Sequence, residues 1–220
     1  MSALAMRFLE AQLAGDRHEA LRVAMEDGIG KGASAEDVHL GIVAVSQREI
    51  GRLWQENRIT VAEEHRATAI SQLVLAHVFP HLEREKRLRC SVVVACVEGE
   101  DHDMAARIAA DILDARGFDV AFLGANVPTS HLVKHLKQAP PDAVALSVTM
   151  SFHLSTLRAA VRAVREAMGD ALPIVVGGEA VVGHPDLVEQ LGVAVSRGTA
   201  RDLAVTLQRL LRVEEARKDG

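Results

Sequence analysis

The chain has 220 residues, 49% of them hydrophobic and 25% charged, the mix of an ordinary globular protein long enough for one large or two small domains. Its 25 Lys and Arg against 30 Asp and Glu leave a formal charge of −5, so it lacks the basic footprint of a nucleic-acid binder. No apolar run reaches the ~20 residues of a membrane span, and no basic stretch precedes an apolar core at the N-terminus, so no membrane contact and a cytoplasmic location are expected.

Residues 1–84 read as helix throughout. Leu4, Phe8 and Ala11 recur at helical spacing. Asp16 with Glu19 makes a capping-box-like start to a second helix, which Gly28, Gly30 and Gly32 end. Ser34 starts a third, along which Val38, Ile42, Val45 and Leu53 keep the rhythm of an amphipathic helix. Gln55 to Ile59 reads as a turn, and Thr60 with Glu63 predicts a capping box on a fourth helix that Pro80 stops. Four helices with short connections predict a small bundle, and Glu83 to Arg87 reads as a charged linker.

From Cys90 the period changes. Strands are predicted at 91–97, 118–123, 142–147, 173–176 and 192–195, with helices starting near 103, 129, 154 and 199. Five β–α units give an α/β fold, a Rossmann-like parallel sheet of flavodoxin-type order with helices on both faces. The predicted domains are a helical unit, 1–84, and a Rossmann-like unit, 88–220. Cys90 and Cys96 bracket a strand and would stand roughly 20 Å apart, beyond disulfide reach.

In such folds ligands sit at the carboxyl ends of the strands. The loop after the first strand, Glu98-Gly99-Glu100-Asp101-His102-Asp103-Met104, holds four carboxylates and one histidine there. By itself it reads equally as a polar loop in which Asp101 or Asp103 starts a helix. A phosphorylated receiver domain shares the β–α order, but the third strand ends in Ser147-Val148-Thr149-Met150 and offers no phospho-accepting Asp. The fourth strand ends in Gly177-Gly178, which lets a ligand approach the backbone closely.

Glu100-Asp101-His102-Asp103-Met104-Ala105, then Ser147-Val148-Thr149, then Gly177-Gly178 resembles the three-part signature of cobalamin-binding domains, shared by methionine synthase, corrinoid shuttle proteins and CarH-type photoreceptors. The resemblance implies that His102 ligates cobalt in place of the cofactor's own benzimidazole and that Glu100 accepts from the other ring nitrogen. Asp101, Ser147, Thr149, Gly177 and Gly178 then line the cofactor, with the displaced nucleotide tail running past the strand ends. Ala105 stands where the signature has Gly and adds a methyl group on the tail's path.

In the helical half, Trp54, the only Trp, is followed by Val61, Glu64 and His65, which share one helix face. Read as structure alone, Trp54 and Val61 are core, and Glu64 and His65 a solvated or capping pair. As a set they resemble the signature with which CarH-type light sensors surround the 5′-deoxyadenosyl group of adenosylcobalamin. This implies a non-enzymatic photoreceptor in which light breaks the cobalt–carbon bond and changes the packing around Trp54. A homo-oligomer (dimer or tetramer) or an output protein would read that change. The alternative is a corrinoid protein that carries methyl groups in a methyltransferase system. Gln55 stands where CarH-type proteins can carry a histidine after the Trp, so a water-ligated lit state, or ligation by His65, is expected. The chain begins with the helical unit, so no DNA-binding domain and no direct nucleic-acid contact are expected. A second, non-covalent bilin chromophore stays open.

Overall fold

A computed structural model describes residues 1–213, without the side chains of residues 187 and 188. The chain divides into two compact units, Met1–Glu83 and a second that begins at Arg84. No helix among the described residues is long and apolar enough to cross a membrane.

The first unit has four helical segments. The first is α1 (Ala3–Ala14), which Ser2 caps by accepting from the Ala5 amide and Gly15 ends at φ 74°. The second runs from α2 (Arg17–Arg22) through a π turn, Val23–Gly28, into a 3-10 turn that stops at Gly32. The third begins as α3 (Ala35–Asp37), widens into a π turn, Val38–Val43, and continues as α4 (Ala44–Gln55). The fourth is α5 (Val61–Val78), opened by the predicted Thr60–Glu63 capping box. The two π turns break the regular periods expected of the second and third helices. They pack against each other at Gly28, where an added Cβ would stand 3.3 Å from Val38 Cγ2. At Asp16 only half of the expected capping box forms. The Asp16 side chain accepts from the His18 and Glu19 amides, but the Glu19 carboxylate turns to the guanidinium groups of Arg7 and Arg22.

The second unit is the five-stranded, all-parallel sheet expected, in the order β2-β1-β3-β4-β5. Its strands are β1 (Ser91–Cys96), β2 (Asp119–Gly124), β3 (Ala143–Ser147), β4 (Ile174–Gly177) and β5 (Ala194–Val195). Between them run α6 (Met104–Ala115), α7 (Thr129–Gln138), α8 (Leu154–Met168), the short α9 (Glu179–Val182) and α10 (Pro185–Leu191), with α11 (Ala200–Leu210) last. Alternate strand residues feed two cores. Val93, Ala95, Val144, Leu146 and Val176 meet α7 and α8, while Val92, Val94, Ala143, Ala145 and Val175 meet α6 and α11. Truncating Leu157 or Leu207, both fully buried, to Ala would cost about 2–5 kcal/mol.

Two features of this sheet create the site. The chain leaves β1 toward α6 on one face and β3 toward α8 on the other, so the β1/β3 boundary is the switch point where a crevice opens. The register then pairs Cys96 with Ser147 and Ser147 with Gly177. Residues 51 and 30 positions apart in sequence thus form one row at the carboxyl edge.

Candidate functional site

At that edge the β1–α6 loop folds around one carboxylate. Glu100 is fully buried. Its Oε1 accepts from the His102 amide at 3.0 Å and lies 2.5 Å from His102 Nδ1. Its Oε2 accepts from the backbone amides of Thr149 and Met150, just past β3, at 2.8 and 2.9 Å. Burial pushes the Glu100 carboxyl up, but these bonds, with His102 the strongest, pull it down to about 2. Glu100 is therefore an anion that only accepts, so Nδ1 of His102 is the donor, and in the neutral ring Nε2 carries the lone pair. The His102 side chain is 45% exposed, so this oriented imidazole stands at the surface of the crevice.

Neighbouring residues hold the loop in place. Asn126, in the left-handed region at φ 49°, accepts from the Gly99 amide through Oδ1 at 2.7 Å, and its own amide donates to the Glu100 carbonyl at 2.9 Å. Glu98 accepts from the Thr129 amide and caps α7. The His153 ring lies over Gly99, where an added Cβ would come within 2.9 Å, and is tilted against Phe152 at 4.3 Å between centroids. The sequence reading missed Asn126, Met150 and Phe152. Only Asn126 left a trace, since Asn tolerates the left-handed region.

The other strand-end residues fall around this pair. Asp103 precedes α6, and its side chain does not cap the helix. Asp101 is exposed, and its carbonyl accepts from the Asp103 amide. Ser147 is buried beside Cys96, whose thiol burial pushes up to about 12. Cys96 is a buried free thiol, and Cys90, half-buried, sits one residue before β1 rather than in it. Thr149 gives its amide to Glu100. Gly178 adopts φ 105°, and a Cβ there would lie 2.1 Å from the Val148 carbonyl oxygen, so the fold itself requires that glycine. At Gly177 a Cβ would meet only ordinary contacts, 3.6 Å and beyond. Ala105 is exposed on the first turn of α6.

In the helical unit, Trp54 is half-buried near the end of α4 and Gln55 exposed behind it. The capping box sets the phase of α5, so Val61, Glu64 and His65 occupy its first two turns. Val61 is 52% exposed, which removes the reading of it as core. Glu64 Oε1 accepts from the Thr68 hydroxyl at 2.7 Å, and Oε2 lies 3.6 Å from His65 Nε2.

Among the described residues no three His, Cys, Asp or Glu side chains gather as a metal cage. The donor at the sheet edge is one imidazole with a carboxylate behind it, an arrangement that fixes ring orientation and raises ligand basicity. Such a set suits a metal whose remaining positions are filled by its own macrocycle. His102, Glu100 and the bare backbone at Gly177 therefore fit a corrinoid.

Residues 90–208 match the family described as the B12 binding domain, and residues 4–78 match a second family with the same description. The HTH-type transcriptional repressor CarH of Myxococcus xanthus is 33% identical over 152 residues, 68% of this chain, and the chain spans 50% of that repressor's length. Trimethylamine corrinoid protein 1 of Methanosarcina acetivorans is 25% identical over 201 residues, 89% of this chain and 91% of that protein. The Methanosarcina barkeri monomethylamine corrinoid protein shares the fold at TM-score 0.77 and 18% identity, over 92% of this chain and 96% of that one. A cobalamin-binding protein from Desulfitobacterium hafniense DCB-2 is 25% identical at TM-score 0.51, over 94% of this chain and 98% of that one.

Proposed function

The chain belongs to the B12 binding domain family and is a cobalamin-binding protein; on that premise we propose that it is a non-enzymatic light sensor that works with adenosylcobalamin. His102 Nε2 holds the cobalt, and Glu100 keeps the ring turned so that this nitrogen faces the crevice. Asp101, Ser147, Thr149, Gly177 and Gly178 border the rest of the cofactor. Trp54, Val61, Glu64 and His65 contact the adenosyl group. When bound, adenosylcobalamin supplies a cobalt–carbon bond that visible light breaks.

The observation that carries the sensor reading is on α5. Val61, Glu64 and His65 share its first turns, and none of them belongs to the bundle core. Residues placed so are available to a ligand. Removing the group that Trp54 packs against leaves apolar surface without a partner, which costs stability until the packing changes. That change alters self-association or contact with an output protein.

A second reading has its own support. The trimethylamine corrinoid relative matches nearly end to end, which favours a carrier of methyl groups in a methyltransferase system. Purification in the dark separates the two. A sensor retains the adenosyl form and changes its assembly state under green light. A carrier works with methylcobalamin and keeps one assembly state in dark and light.

A further inference from the structure

The helical unit carries a polar chain that runs from the bundle core out to half-buried Glu64. Gln12 and Ser71 are fully buried in the bundle core. Gln12 Nε2 lies 2.9 Å from Gln47 Oε1, 2.9 Å from Ser71 Oγ and 3.1 Å from the Ala67 carbonyl. The Ser71 hydroxyl also reaches Gln47 Oε1, at 3.1 Å. Gln47 Nε2 donates to Thr68 Oγ1 at 2.8 Å, and the Thr68 hydroxyl donates to Glu64 Oε1 at 2.7 Å.

Only one polarity satisfies this chain. A carboxylate accepts only, so Thr68 must spend its single proton on Glu64. The Thr68 oxygen then accepts from the Gln47 amide nitrogen, which leaves Gln47 Oε1 to accept from Ser71 and Gln12. The Gln12 amide cannot turn over, because its oxygen would then face the Ala67 carbonyl and Gln47 Oε1, both acceptors. Gln12 Oε1 is left as the one buried side-chain polar atom without a partner among the described residues. Such a group is costly to bury, and apolar side chains would fill the same volume without that cost. A network kept against that cost fixes a direction.

We propose that Thr68 and Gln47 are positioning residues that lock the Glu64 carboxylate through Oε1 and so aim Oε2 at the hydrogen-bond donors of the adenosyl group. This rests on the adenosyl reading above. Immobilising Glu64 before the ligand arrives removes the ordering cost of one flexible side chain from binding. The effect should be selective, because a methyl group offers the carboxylate no donor.

The test compares dark binding of adenosylcobalamin and methylcobalamin to the full chain. Thr68→Val keeps the shape and removes the hydroxyl; Thr68→Ser restores it. The preference for adenosylcobalamin should fall about threefold to tenfold in Thr68→Val and in Glu64→Gln, and return in Thr68→Ser. In the cofactor-free protein, the Gln47 side-chain amide NMR signals should shift in Thr68→Val. A wild type that binds both cobalamins equally overturns the adenosyl reading and this proposal with it. A wild-type preference lost in Glu64→Gln but kept in Thr68→Val overturns this proposal alone.

Discussion

Glu100 takes His102 Nδ1 on one carboxylate oxygen, at 2.5 Å, and the His102 amide on the same oxygen. The second oxygen is held by two amides that follow β3, so the orientation of the imidazole is set by a strand about fifty residues away.

Glu100→Gln tests that relationship. The variant's NH2 group must face either two backbone N–H groups or the His102 donors. In the second case Nδ1 becomes the acceptor, the proton moves to Nε2, and the metal-facing lone pair is lost. Cobalamin affinity should fall about 10–100-fold, which titration by visible absorption measures. Stability should fall by about 1–3 kcal/mol, which urea unfolding measures. Unchanged affinity would detach Glu100 from the site.

The same carboxylate predicts an acid limit. Its pKa in the folded protein is about 2, below the ordinary 4.5. Glu100 therefore contributes stability that is fully present above about pH 4.5 and is lost as the pH falls from there through 2. A shift of this size corresponds to about 3 kcal/mol. Asp27, held at about 2 chiefly by Lys31 and also by Arg7, loses its contribution in much the same range. The Glu100 share is thus the difference between wild-type and Glu100→Gln unfolding curves, which should narrow from pH 5 to pH 2.5. Parallel curves would contradict it.

The two adjacent glycines should separate folding from binding. Gly178→Ala puts a methyl group onto the Val148 carbonyl at a positive φ and should cost more than about 2 kcal/mol, seen as a lower Tm or loss of soluble protein. Gly177→Ala meets only ordinary contacts and should keep its Tm within a few degrees. Weaker cobalamin binding by Gly177→Ala at unchanged Tm would place the cofactor against that backbone.

Trp54→Ala should leave dark binding through His102 in place and reduce the light-driven change in assembly. Light scattering on chromatographed dark and illuminated samples checks this. A full light response in the variant would take Trp54 out of the sensing pocket.

The five strands alternating with helices and the Thr60–Glu63 box were legible because they rest on local signals, apolar runs and capping chemistry. The π turns at Val23–Gly28 and Val38–Val43 were not, since they answer to packing between two helices at Gly28. Asp16 and Glu19 carried a local signal that a distant one overrode, because Arg7 and Arg22 draw the Glu19 carboxylate away. Glu100 and His102 stood out as residue types at a strand end, but the Thr149 and Met150 amides and the Asn126 brace belong to register and tertiary folding, which no short motif records.

The most direct measurement is electron paramagnetic resonance of the protein bound to unlabelled cobalamin in its one-electron-reduced cobalt state, with the chain's histidines labelled with nitrogen-15. If His102 Nε2 holds the metal, each cobalt line splits into a doublet from a spin-one-half nucleus, and His102→Ala abolishes that doublet. A triplet that labelling leaves untouched would mean that the cofactor keeps its own base, and would contradict the account.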